Sequence, residues 1–111
     1  MSEFVAVGRV SELKPGQMKR VMVDGQQVLL ANVDGDFYAV RDECSHRGAA
    51  LSKGKMEGHA VECPRHHARF DVRSGDALKG PSFGPLRLPG QIEGVSAYKV
   101  RVEGDTVLVQ L

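Results

Sequence analysis

No run of apolar residues in this chain approaches the ~18 that a membrane-spanning helix requires, so the sequence offers no transmembrane segment. The first residues, Met1 to Arg9, lack the basic-then-apolar order of a secretory signal. A strong excess of one sign of charge is also missing. The formal net charge is +1, there is no basic run and no series of aromatics that would make a stacking platform, and no nucleic-acid motif is present. Cysteine is scarce, at two residues. The expectation is a soluble, cytoplasmic protein with no membrane and no nucleic-acid partner. In a compartment that keeps thiols reduced, two cysteines point to metal binding or redox chemistry before a structural disulfide. Long helical periodicity, internal repeats and low-complexity tracts are lacking too.

What the chain has instead is short alternating runs between glycine-rich turns. Lys19 to Val23 and Gln27 to Val33 flank Asp24-Gly25, a pair that tolerates positive φ and signals a hairpin. Asp34-Gly35-Asp36 turns the chain into Phe37 to Val40. Tyr98, Val100 and Val102 alternate with polar residues, Glu103-Gly104-Asp105 turns, and Val107, Val109 and Leu111 alternate again. Thirteen glycines suit turns better than helices, where each costs about 0.5–1 kcal/mol. A single helical turn is expected near Ser11 to Lys14, stopped by Pro15-Gly16. The fold class is all-β, a small antiparallel sandwich or barrel. Its 111 residues fit one domain, 1–111, small enough for a bound metal to contribute substantially to stability. The stretch from about Glu43 to Gly94 is rich in Gly, His, Cys and Pro and reads as functional loops on that scaffold.

Both cysteines and three of the four histidines of the chain fall in two clusters within that stretch: Cys44-Ser45-His46-Arg47-Gly48 and Cys63-Pro64-Arg65-His66-His67. Each offers one thiolate and one imidazole. Cys-x-His followed by Cys-Pro-x-His resembles the Rieske iron–sulfur signature, in which two cysteines hold one iron and two histidines the other. The likeness extends to Asp36 to Val40 before the first cluster, Gly48 and Leu51 after it, and Arg69-Phe70-Asp71 with Ser74-Gly75 after the second. Gly80-Pro81 to Pro85 is similar to the proline loop that covers the cluster in this family. The resemblance implies a Rieske fold with a cluster-binding subdomain of two loops, about 43–85. It implies one [2Fe–2S] cluster held by Cys44, His46, Cys63 and His66.

The ligand set has a physical rationale. Two ferric irons, two sulfides and two thiolates sum to zero charge when the histidines are neutral, whereas four thiolates would leave the oxidised site doubly negative. This is why Rieske centres span about −150 to +300 mV against about −400 mV for plant-type clusters. A Cys44–Cys63 disulfide explains two residues and leaves the matched histidines unexplained. A zinc site uses the same four residues, but the one-residue Cys-x-His gap is shorter than the usual two to four. The family spacing selects His66 over His67, which then stands as a solvent-facing neighbour. His59 reads as a surface strand residue. Gly48 reads as a tight turn aiming N–H groups at the cluster, or as a plain loop glycine. Leu51 reads as a shield or ordinary core, Pro64 as a stiffener, and Pro81 as a cover or a bend in a surface loop.

Departures from the pattern narrow the subtype. Rieske proteins of cytochrome complexes carry two further cysteines that tie their loops together. Ala49 and Arg65 stand at those places here, and Ala68 and Phe70 stand where those proteins place hydroxyls near the cluster sulfurs. Fewer hydrogen bonds to sulfur leave the reduced cluster less stabilised, so a low potential is expected. Length and pattern look like the ferredoxins of bacterial aromatic-ring dioxygenase systems. That resemblance implies an electron carrier rather than an enzyme, taking electrons from a flavin-dependent NAD(P)H reductase and passing them to a terminal oxygenase. A monomer is expected. The alternative is a small Rieske-like subunit of a larger reductase, such as assimilatory nitrite reductase. Catalysis by this chain would need a second iron on two histidines and a carboxylate, and only His59 and His67 remain. Arg47, Lys53, Lys55, Arg65 and Arg69 against Glu43, Glu57 and Glu62 leave a modest positive excess that would steer an acidic partner.

Overall fold

The computed structural model describes residues 3–43, 50–64, 68–79, 82–83, 86–87 and 94–111. Twelve strands account for most of it. They are β1 (Val5–Arg9), β2 (Met18–Val23), β3 (Gln26–Val33), β4 (Asp36–Arg41), β5 (Lys55–Glu57), β6 (Ala60–Glu62), β7 (Arg69–Asp71), β8 (Ala77–Lys79), β9 (Ser82–Phe83), β10 (Leu86–Arg87), β11 (Ala97–Glu103) and β12 (Thr106–Gln110). Single 3₁₀ turns lie at Val10–Glu12 and Leu51–Lys53. No helix among the described residues is long and apolar enough to cross a membrane.

The all-β expectation holds. Six strands form an antiparallel sheet in the order β1-β12-β11-β4-β3-β2, and β1 and β2 come close at its ends, so the sheet nearly closes into a barrel. Its turns follow from residue type. Asp24 and Gly25 sit at φ 48° and 81°, and Asp34 and Gly35 at φ 51° and 96°. Both pairs have the two positive φ values of a type I′ turn, whose twist matches that of the flanking strands. Between β11 and β12 only Gly104 has positive φ, at 61°, so this two-residue turn has the type II′ pattern. Two strand ends differ from expectation. Asp36 pairs with Val33 and Glu103 with Thr106, so both lie in strands and not in turns.

A second antiparallel sheet, β5-β6-β7-β8, lies in the stretch expected to be loops. That expectation is corrected. Each of these strands is three residues long, too short for alternation to reveal. Strand β1 was likewise not anticipated. It pairs with β12 and carries a bulge between Ala6 and Gly8, which breaks its alternation.

The two sheets meet across β3. Leu29 and Ala31 face a core that also holds Val40, Leu51, Val61, Cys63, Phe70 and Val72, shared with the small sheet. Val28 and Leu30, on the other face of β3, pack inside the barrel with Val21, Val23, Ala39, Val107 and Val109. Successive side chains of a strand point to opposite faces, so one strand supplies both cores and reads as a continuous apolar run.

Candidate metal centre

Of the four expected ligands, Cys63 lies among the described residues, whereas Cys44, His46 and His66 lie outside them, as do Gly48, His67 and Pro81. The frame that carries both ligand segments is described. Cys63 directly follows β6, and its N–H donates to the Ala68 carbonyl at 2.7 Å. That main-chain bond closes the loop 64–67 at its base. Cys63 is fully buried among apolar side chains, in one core with Leu51, Val61, Ala68 and Phe70. Leu51 is therefore part of the wall around Cys63 and part of the core at once. Ala68 and Phe70 are wholly buried there and bring no hydroxyl into it.

The other expected ligand segment, 44–49, leaves from the end of β4 and returns at Ala50. Asp42 stands two residues beyond Val40 and so shares its face, toward the small sheet. Its side chain is fully buried and fully engaged. Ser52 donates its N–H to Oδ1 at 2.7 Å and its hydroxyl to Oδ2 at 2.6 Å, and Arg20 on β2 donates Nε to Oδ2 at 2.6 Å. The Asp42 N–H in turn donates to the Gln27 carbonyl at 3.1 Å.

Gly54 joins the two segments. A Cβ built there would stand 1.8 Å from the Glu62 carbonyl oxygen and 3.2 Å from Pro64 Cδ. Only glycine allows the chain returning from the first segment to touch the chain entering the second.

On the far side of the small sheet, Asp71 is a hub. It accepts the Arg73 N–H at 2.8 Å, and the Arg73 guanidinium at 3.1 Å and 3.0 Å. This side-chain bond holds the Asp71 carboxyl below its usual range against the opposing effect of burial, and it pushes the Arg73 guanidinium up. His59 Nε2 lies 3.8 Å from Asp71 Oδ2. His59 is in the turn between β5 and β6, half exposed, and not in a strand as expected. The turn after Asp71 holds the returning chain. Val95 donates its N–H to the Gly75 carbonyl at 2.8 Å, and Gly75, at φ 81°, comes so near the Val95 carbonyl that a Cβ would stand 2.0 Å from it.

Ion pairing leaves the expected positive excess in place, because one cation of the counted set takes up two of its carboxylates and an arginine outside the set takes the third. Arg69 pairs with Glu62 at 3.2 Å and Glu57 at 3.5 Å, and Glu43 pairs with Arg41 at 2.8 Å. Lys53 and Lys55 are exposed, while Arg47 and Arg65 lie outside the described residues. Residues overlooked at the sequence level are Arg20, Asp42, Ser52 and Gly54. An acidic residue two places before a Cys-x-His cluster, and a Ser and a Gly just after it, are the faint signals they left.

Comparison with known proteins places this frame. Residues 3–105 match the family model described as the Rieske [2Fe-2S] domain. The ferredoxin component of biphenyl 2,3-dioxygenase from Rhodococcus jostii (strain RHA1) is 42% identical over 100 residues, covering 90% of this chain and 85% of the relative. The solved ferredoxin of carbazole 1,9a-dioxygenase from Nocardioides aromaticivorans IC177 superposes with a TM-score of 0.84 at 34% identity, over 96% of this chain and 95% of that one. A chain from the complex of reduced oxygenase and oxidized ferredoxin in carbazole 1,9a-dioxygenase gives 0.77 at 30% identity, over 96% and 92%.

Proposed function

We propose, for a chain that belongs to the Rieske [2Fe–2S] family, that it is a low-potential carrier delivering single electrons to a terminal oxygenase. The observation that carries this reading is the near full-length likeness to ferredoxin components of aromatic-ring dioxygenase systems. One of the similar solved structures is a complex of reduced oxygenase and oxidized ferredoxin in carbazole 1,9a-dioxygenase, which supports an oxygenase as the electron acceptor. A flavin-dependent NAD(P)H reductase is the proposed donor. We read the chain as a cytoplasmic monomer forming one domain, 1–111, with its cluster-binding region at about 43–85. The likeness to dioxygenase ferredoxins favours this reading over a small subunit of a nitrite reductase.

The family's cofactor is one Rieske-type [2Fe–2S] cluster, and the described residues suit it. Cys63 presents its sulfur from a rigid strand end inside an apolar wall, where a thiolate is sustained by bonding to a cation. Cys44 and Cys63 would hold one iron, His46 and His66 the other. When bound, the cluster supplies a site that takes up and gives back one electron at a time. The chain's own residues fix and insulate it. Cys63 and Ala68 close the second loop, while Leu51, Val61 and Phe70 exclude water from the cysteine side. The side chains of Ala68 and Phe70 carry no hydroxyl to donate toward sulfur, which favours the oxidised state and a low midpoint.

The test is spectroscopic. Reduced wild-type protein should give the low average g-value of histidine-ligated iron, with a midpoint below standard hydrogen. His66→Gln, with His67 intact, should abolish that spectrum. An intact spectrum in the variant overturns the ligand assignment. A midpoint well above standard hydrogen overturns the low-potential reading. Reduction by a flavin reductase followed by oxygenase turnover supports the carrier role, and stable co-purification with a large reductase opposes it.

A further inference from the structure

The two ligand segments are closed by different means. Main chain closes the second, through Cys63 N–H and the Ala68 carbonyl. At the base of the first, among the described residues, no backbone hydrogen bond links residues 42–43 to residues 50–54; side chains do this instead. Asp42 lies just before the segment and Ser52 just after it. One buried carboxylate grips Ser52 twice, at its N–H and at its hydroxyl, with one oxygen for each. Arg20, 35% exposed at its side chain, reaches in from β2 and ties the same carboxylate to the barrel.

Burial of this charge is costly, and apolar side chains of similar volume would often hold a chain at least as firmly. What a bidentate, charge-assisted contact adds is direction, because its bonds tolerate little sliding or rotation. The contact is also close to the chemistry. Asp42 is two residues from Cys44, so a shift at Asp42 is carried along the backbone to the thiolate.

We infer that Arg20, Asp42 and Ser52 form a positioning clamp that fixes where the first ligand segment leaves and rejoins the fold, and so governs how readily iron is released. Arg20 and Ser52 are positioning residues that act through Asp42. The inference rests on the four-ligand reading only in taking 44–49 as a ligand loop. A wrong ligand set would show in the spectrum of the wild-type protein, before any clamp variant is made.

The experiment uses cluster-loaded protein and an iron chelator under native conditions, well below the melting temperature. Ser52→Ala and Arg20→Gln each leave a buried carboxylate oxygen short of a donor. Both should release iron about tenfold faster than wild type and broaden the reduced-state EPR lines, because local opening becomes easier than global unfolding. Ser52→Thr keeps the hydroxyl and the N–H and should restore the wild-type rate and line shape. Val109→Ala, in the barrel interior, is the control. It should lower the melting temperature and leave native-state iron release unchanged. Wild-type release rates and line shapes in Ser52→Ala and Arg20→Gln overturn the clamp. So does an equal acceleration in Val109→Ala, which would make the effect one of general stability.

Discussion

Asp71 shows what a partly buried carboxylate does when its partner is two residues away. The Arg73 hydrogen bond depresses its folded-state pKa below the ordinary 3.8, so the unfolded chain binds a proton more readily than the folded one. The resulting stability is fully present above that ordinary value and is lost as pH falls through the lower folded value. Melting temperatures measured from pH 6 downward should therefore fall on the acid side, and less steeply in Arg73→Ala, where the largest part of this linkage is removed and the backbone N–H bond stays. An acid limb unchanged by the substitution would show that Asp71 is not its source. Little of this was legible in the sequence. Asp71 and Arg73 are two ordinary surface-type residues until β7 and its following turn bring Arg73 back over the carboxylate. Asp42 was hidden for the same reason. Burial of an acid depends on partners 22 residues before it and 10 after it, and no local pattern announces them. The ligand residues, in contrast, were legible because Cys and His are rare and their spacing is local.

Elements differed in legibility by length and by turn chemistry. The barrel hairpins could be read because Asp-Gly pairs need positive φ and the strands between them are five to eight residues long. The small sheet could not, since its three-residue strands are defined by pairing across loops and not by their own pattern. Gly54 is where this hidden sheet meets the first ligand segment. A methyl group there would overlap the Glu62 carbonyl oxygen, and overpacking against backbone costs about 1–3 kcal/mol, as no flexible side chain can give way. Gly54→Ala should lower the melting temperature and reduce the iron content of the purified protein. The turn variant Gly25→Ala tests positive φ alone, because nothing lies within 4 Å of Gly25. It should lose stability and keep its iron. Full iron loading in Gly54→Ala would show that the two segments do not depend on that contact.

At the scale of the whole molecule, the two cores are joined back to back through β3 and β4. Leu29→Ala and Leu30→Ala remove the same side chain from adjacent positions, and each should cost about 2–5 kcal/mol. Their consequences should differ. Leu29 faces the core that contains Cys63, and Leu30 faces the barrel interior. During denaturant titration, Leu29→Ala should lose visible absorbance before its far-UV circular dichroism changes. Leu30→Ala should lose both together. Coincident transitions in both variants would mean that the two cores unfold as one. The arrangement is unequal, because the barrel interior is completed by its own strands while the small sheet leans on β3 and β4 for its inner wall. That inequality sets the order in which an ageing copy fails. Such a copy should go colourless while still folded, and so stop exchanging electrons before it exposes the surfaces that drive aggregation.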